Sequence, residues 1–277
     1  MTTPLPRSPI RFIAFAALAA LATALTAGLA AAADPSTPAP MLASRVTKAG
    51  VFKVAIDATY PPMEFEGPDG KATGFDVDFA NELAKRLHAR ADFQVMNWEG
   101  ILAGLASQRY DVIISSMNVT DERKQVADFV EYLQMAQVFV TKPGAPVKSN
   151  AELSGKVVVV QADTTSFNAV QRAKTDGVAI KDIKAFQLAT EAFQALKAGQ
   201  GEVIVIDEPV ARYYVKQDPK SFAISGQALA PEPVGIAVRK ADADVRDALR
   251  AAVDEVKHDG TFQRISEKWF GTTLGTP

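Results

Sequence analysis

DVIISSMNVTDER, residues 111–123, is the stretch whose reading decides the fold. Val112, Ile113 and Ile114 form a short β-branched apolar run that opens into Ser115, Ser116, Met117 and Asn118, with Arg123 close behind. Such a run between polar residues reads as a buried strand of a parallel sheet. In open α/β sheets ligands sit just beyond the carboxyl ends of strands. Hydroxyls, an amide and backbone N–H groups would therefore gather where a small polar molecule docks, and the guanidinium of Arg123 offers a planar fork for a carboxylate. An equally simple reading is a strand, a polar turn and a surface arginine paired with Asp121 or Glu122.

Outward from this stretch the same rhythm continues. Lys53–Asp57 reads as a strand, and Phe75, Phe79, Leu83 and Leu87 mark the apolar stripe of a helix over Phe75–Ala91. Phe93–Val95 is a second strand, Trp98–Gln108 a short helix and Asp111–Ser115 a third strand. Strand, helix, strand, helix, strand is the pattern of a doubly wound parallel sheet. A second unit of the same kind follows Thr141–Gly144. Its strands fall at Lys156–Gln161, Ala185–Phe186 and Glu202–Asp207, and its helices at Ser166–Lys174, Glu191–Ala198 and Pro209–Lys216. A last strand, Gly235–Arg239, precedes helices over Val245–His258 and Thr261–Trp269, which suggests a return to the first unit.

The ends and composition narrow the function. Residues 1–33 combine Arg7 and Arg11 with the apolar, alanine-rich run Phe12–Leu29 and the small residues Ala31–Ala33, the pattern of a secretory signal peptide. An uncleaved anchor is the other reading, since the run approaches the ~20 residues of a membrane span. Cleavage moves the formal net charge from −2 to −4, and this mildly acidic surface argues against nucleic acid or anionic lipid as partner. There is no cysteine, so neither a disulfide nor a lipidated cysteine holds the chain. With two distant histidines, His88 and His258, no metal site is expected, and no phosphate-binding glycine loop or nucleophile motif appears, so no cofactor and no catalytic residue is assigned.

Several residues stand at strand ends. Asp57 follows the first strand and either meets a cationic group or closes a turn with Pro61 and Pro62. Tyr60 and Trp98 offer flat faces for an aliphatic stem or cation, or simply fill core and rim. Asp163, Thr164, Thr165 and Ser166 start a helix, as an anion site or as plain capping. Asp207 ends a strand and either faces an ammonium or caps the next helix.

In order along the chain stand DATYPPMEF (57–65), GFDVD (74–78), WEGI (98–101), SSMNVTDER (115–123), VVVVQADTT (157–165), VIDEPVA (205–211) and DGTF with EKWFG (259–271). Together, over residues 50 to 271, they resemble the polar amino-acid-binding proteins of bacterial ABC importers, the family 3 solute-binding proteins. The resemblance implies a type II periplasmic binding protein fold: two doubly wound α/β lobes joined by two crossover strands. The expected division is signal peptide 1–33, linker 34–48, first lobe 49–136 with 236–277, and second lobe with crossovers 137–235. It further implies that Arg123, with backbone N–H groups near Asn118 and Thr165, holds a ligand's α-carboxylate. Asp207 and the Ser116 carbonyl would hold the α-ammonium, and Tyr60 and Trp98 would sandwich the side chain. Asp57 and Ser115 would meet its far end, with Gln161 nearby, and Met117 and Thr164 complete the site. Asn118 departs from the family's usual serine or threonine, and Asp163 from its glycine.

The expected function is periplasmic capture of a free amino acid, basic (lysine, arginine, ornithine or histidine) or glutamine, by a monomer that delivers it to an inner-membrane ABC permease. The alternative is a secreted enzyme resembling cyclohexadienyl dehydratase, with Glu64 as its additional acid, and a third reading is the sensor part of a signalling receptor.

Overall fold

The computed structural model describes residues 50–226 and 228–275. The signal peptide expected at 1–33 and the linker at 34–48 lie outside the described residues. The chain opens with β1 (Val51–Ile56), followed by the short strands β2 (Thr59–Tyr60), β3 (Glu64–Glu66) and β4 (Ala72–Thr73), which form a small antiparallel sheet. Then come α1 (Phe75–Arg86), β5 (Arg90–Val95), α2 (Ile101–Ala106), β6 (Val112–Ile113), α3 (Asp121–Val126) and β7 (Ala127–Met135). Only Ala136 separates β7 from β8 (Gln137–Thr141). The second half holds β9 (Val157–Gln161), α4 (Thr165–Thr175), β10 (Asp182–Phe186), α5 (Ala189–Lys197), β11 (Val203–Asp207), α6 (Glu208–Gln217) and β12 (Ala223–Ser225). β13 (Glu232–Arg239), α7 (Ala243–His258) and α8 (Thr261–Phe270) complete the chain.

Two five-stranded sheets result, ordered β5-β1-β6-β13-β7 and β10-β9-β11-β8-β12. The expected parallel strands are there: β1 lies parallel to β5 and β6, and β9 parallel to β10 and β11. Each sheet is mixed rather than wholly parallel, because β13 runs antiparallel to β6 and β7, and β8 antiparallel to β11 and β12. The chain passes from the first sheet to the second at β7–β8 and comes back through β13.

Burial follows the patterns that predicted it. Phe75, Phe79, Leu83 and Leu87 are all buried, as is Val158–Val160 of β9, a continuous apolar run covered on both faces. α7 buries Val245, Ala248, Leu249, Ala252, Val253 and Val256 at helical spacing, and with α8 it packs on α1 of the first sheet. Phe79 stacks on Tyr132 at 4.9 Å between ring centroids, and Phe262 meets Phe75 edge-on at 5.6 Å. α1 stops at Arg86, short of the expected Ala91. His88 turns left-handed (φ 55), and Arg90 already pairs with Val51 in the sheet. The third strand likewise pairs only over Val112–Ile113, because Ser116 turns left-handed (φ 49).

Gly74 joins the small sheet to α1. At φ 135 it lets the N–H groups of Phe75 and Asp76 donate to the carbonyls of Pro62 (2.9 Å) and Met63 (2.8 Å), satisfying the helix start from the preceding turn. A Cβ there would press on the Met63 carbonyl and lie 2.9 Å from the Glu64 Cα. Gly74→Ala is expected to cost about 2 kcal/mol or more in urea unfolding, from overpacking and left-handed strain together. Gly177→Ala, also at positive φ (99) but with open space around it, should cost only the ~1–2 kcal/mol of the backbone conformation. Equal losses would show that no close approach occurs at Gly74.

Candidate functional site

Most of the residues singled out by sequence converge between the two sheets. A narrow cavity, about 20 Å³, is lined by Asp57, Tyr60, Trp98, Ser115, Ser116 and Asn118 from one side and by Gln161, Thr164, Thr165 and Asp207 from the other. Glu64 and Ser166 also line it. Arg123 and Met117 do not. They border a neighbouring hollow together with Trp98, Asp163 and Thr165. Met117 is fully buried among Ile101, Leu105 and Tyr110, so its side chain belongs to the core.

The loop after β6 is held by backbone. Val119 N–H donates to the Pro233 carbonyl at 2.7 Å, and Gly235 N–H donates to the Met117 carbonyl at 3.0 Å, so β13 clamps Ser115–Asn118 from outside. Ser115 Oγ accepts from the Asp57 N–H at 2.9 Å and donates to Glu64 Oε1 at 2.9 Å. Thr120 caps α3 by accepting from the Arg123 N–H (3.1 Å), which fixes where the guanidinium starts. That guanidinium does not pair with Asp121 or Glu122. It donates to the carbonyls of Asn118 (2.9 Å) and Asp163 (3.1 Å) and lies 5.2 Å from the Trp98 ring centroid. Asp163 adopts the left-handed φ of 58, and its carbonyl also accepts from Trp98 Nε1 at 2.9 Å.

Three other contacts cross the cavity. Gln161 Nε2 donates to Asp57 Oδ2 (2.7 Å), Tyr60 Oη donates to Asp207 Oδ2 (2.8 Å), and Thr165 Oγ1 donates to Asn118 Oδ1 (3.2 Å). Gln137 Nε2 supports the last of these from behind, donating to Thr165 Oγ1 at 2.6 Å. Capping is divided between two candidates. Thr164 accepts from the Phe167 N–H at the start of α4, whereas Asp207 precedes α6 without any side-chain cap bond.

Charge balance is the site's main feature. Asp57, Glu64 and Asp207 are 2%, 1% and 4% exposed, and the lining contains no lysine, arginine or histidine. Burial pushes the Asp57 carboxyl up, countered by its bonds from Gln161 and Thr59. Burial pushes Asp207 up to about 7, with Tyr60 pulling back, Glu232 adding repulsion and Arg123 relieving it. Burial likewise lowers Arg123, and the charges of Glu232 and Asp207 raise it in turn. Two buried polar atoms in the cavity's walls have no hydrogen-bond partner, the acceptor Asp207 Oδ1 and the donor Asn118 Nδ2.

The sequence profile of the bacterial extracellular solute-binding proteins, family 3, matches residues 52–272. The chain belongs to this family. The L-cystine-binding protein TcyJ of Escherichia coli (strain K12) is 35% identical over 236 residues, covering 84% of this chain and 87% of that protein. A solved ancestral arginine-binding protein bound to arginine is 40% identical, covering 80% of this chain and 99% of its own, with TM-score 0.77. An ancestral amino acid-binding protein described as a precursor of cyclohexadienyl dehydratase is 33% identical, covering 82% and 98%, with TM-score 0.76. The fold is therefore that of the type II periplasmic binding proteins, as the sequence motifs implied. This family 3 member was legible from its ordered motifs. Ser166 and the buried position of Glu64 were not, because no motif placed their side chains.

The raised Asp207 makes a pH prediction for the chain closed as it is in this structure. Between 3.8, its ordinary value, and about 7, the folded chain holds more protons at this group than the unfolded chain. Stability from this group therefore falls as pH rises through that window and levels off above it. Asp207→Asn, which never ionises, should gain on wild type in urea unfolding from pH ~4 to pH ~7.5 and then keep a constant lead. A difference that is flat across this range would contradict the burial of Asp207.

Proposed function

We propose that this family 3 protein is a periplasmic receptor that captures a basic amino acid and hands it to the permease of an ABC importer. The observation that carries the reading is the cavity's charge: three carboxyl groups line it and no cation does, while Arg123 waits at its edge. A zwitterion in such a place needs both its charges matched, because unpaired burial of charge is costly. Arg123 would take the α-carboxylate, joined by Asn118 Nδ2, the donor without a partner. Asp207 would take the α-ammonium on its free Oδ1. A second positive charge on the ligand would then meet Asp57 in place of Gln161, between Tyr60 and Trp98. The two lobes would be the two sheets with their helices, 49–136 with 236–277 and 137–235, and the protein would act as a monomer.

The arginine-bound ancestral neighbour supports this reading, and the cystine-binding relative makes cystine a rival ligand beside glutamine. Binding is favoured over a dehydratase because Glu64, the acid such an enzyme would use, is bonded into the Ser115–Ser116 loop.

A thermal-shift screen against the common amino acids and cystine tests the proposal. Lysine, arginine, ornithine or histidine should stabilise the chain, by about 2.7 kcal/mol at 100 times its dissociation constant. Stabilisation only by glutamine or cystine would overturn the basic assignment. Arg123→Ala should remove binding of every amino acid, since truncating one member of a buried charge pair costs about 2–5 kcal/mol. An affinity within about threefold of wild type in calorimetry would contradict Arg123 as the carboxylate anchor.

Asp57 is proposed to read side-chain charge. Asp57→Asn would take away one charge-assisted hydrogen bond, of order 1.5–3 kcal/mol, from lysine or arginine and much less from glutamine or citrulline. Equal losses for charged and neutral ligands would make Asp57 a turn residue.

A further inference from the structure

Behind the cavity, Glu64 of β3 and Asp76 in the first turn of α1 meet with no cation between them. They are 1% and 0% exposed. Among the described residues they hydrogen-bond to each other and to Ser115, Ser116 and Tyr132, and neither is ion-paired with a lysine, arginine or histidine. The other titratable groups facing the pair are Asp57 beyond β1, Tyr60 in β2 and Tyr132 in β7, so nothing supplies a compensating positive charge.

Counting protons decides how the pair survives. Asp76 Oδ1 accepts from Tyr132 Oη at 2.7 Å, and Oδ2 accepts from the Ser116 N–H at 2.6 Å and lies 3.0 Å from Ser116 Oγ. Glu64 Oε1 accepts from Ser115 Oγ at 2.9 Å, but among the described residues the only donor near its Oε2 is Ser116 Oγ, at 3.4 Å. A hydroxyl carries one proton and can satisfy one of two carboxylates. With Ser116 Oγ–H given to Asp76, Glu64 Oε2 has no donor and must itself be the donor. Two carboxylates this close cannot both ionise in a buried site.

We propose that Glu64 and Asp76 share one proton, held on Glu64, and that this pair is the positioning element that fixes the left-handed Ser116 at the ligand site. Asp76 binds Ser116 by both its N–H and its hydroxyl, which holds a non-glycine residue at φ 49. Glu64, neutral toward the cavity, leaves Asp57 and Asp207 as its two anions, so a doubly cationic, singly anionic ligand is matched with Arg123. Only this last, ligand-directed step rests on the proposed amino-acid function. Burial, followed by the neighbouring Asp76 charge, drives Glu64 well above the usual carboxylate range, which agrees with the proton count.

Infrared spectra of the full chain in heavy water test the pair without any ligand. At pH ~8.5 Asp207 is ionised, and the wild type should still show a carboxylic-acid C=O band. The band should vanish in Glu64→Gln and persist in Asp207→Asn. Calorimetry with arginine across pH tests the positioning role. Above the pH at which the pair loses its proton, wild-type affinity should fall about tenfold per pH unit more steeply than that of Glu64→Gln, whose amide stays neutral and still donates, so that the variant shows only the fall set by the ligand's own α-ammonium. Glu64→Ala should lose at least about tenfold in affinity where Glu64→Gln stays within about threefold. A band absent from wild type, or unchanged in Glu64→Gln, overturns the shared proton. The same alkaline fall in Glu64→Gln overturns the positioning role. A wild type that shows the band but binds no arginine overturns the ligand reading and leaves the pair standing.

Discussion

Asp207 brings a carboxylate at the end of β11 into a cavity whose opposite wall belongs to the other sheet. It is buried, one of its oxygens is met by Tyr60 and the other by nothing. Arg123 stands across from it, close enough for each charge to shift the other's proton affinity. Neither group is fully matched by the protein itself. On the proposed function, a ligand with one negative and one positive end would compensate both at once, and would do so only with the two sheets closed upon it. The free energy of closure would then depend on the ligand's two charges. Without them, closing leaves an uncompensated acceptor and donor in the interior, which favours the hydrated, open arrangement.

The rest of the molecule serves to hold these groups at the right places. β13 clamps the Ser115–Asn118 loop by backbone bonds, Thr120 aims Arg123, and the Asp163 carbonyl ties Arg123 and Trp98 to the second sheet. Among the described residues the connections at β7–β8 and β12–β13 are the two places where the chain passes between sheets, so any movement of one sheet against the other would turn on them. Most contacts across the cavity are single hydrogen bonds between side chains or from side chain to carbonyl, each worth about 1 kcal/mol net, weak enough to break on opening.

Much of this was readable before any coordinates. The stripe of α1, the apolar run of β9 and the stripe of α7 announced themselves because each buries one clean periodicity. β7 did not. A register shift opposite Val234 and Gly235 leaves both Tyr132 and Leu133 buried, so the alternation that would mark a strand breaks in its middle. β8 carries no alternation either, because all five of its residues are buried. At the site, the single residues at strand ends each allowed a bland reading of turn, cap or surface pair. What excluded several of these was partnership across long separations, such as Tyr60 with Asp207, which no local pattern encodes. The Glu64–Asp76 contact escaped for a related reason: two acids twelve positions apart look like ordinary surface charge until the turn at Gly74 folds one onto the other.

Solution X-ray scattering on the mature chain tests the dependence of closure on ligand charge most directly. With arginine bound, as verified by calorimetry, the radius of gyration should be smaller than that of the ligand-free chain. Asp207→Ala given enough arginine to occupy Arg123 should keep the larger, ligand-free value. A wild type whose radius of gyration is the same with and without bound arginine, or an Asp207→Ala chain that compacts as wild type does, would contradict it.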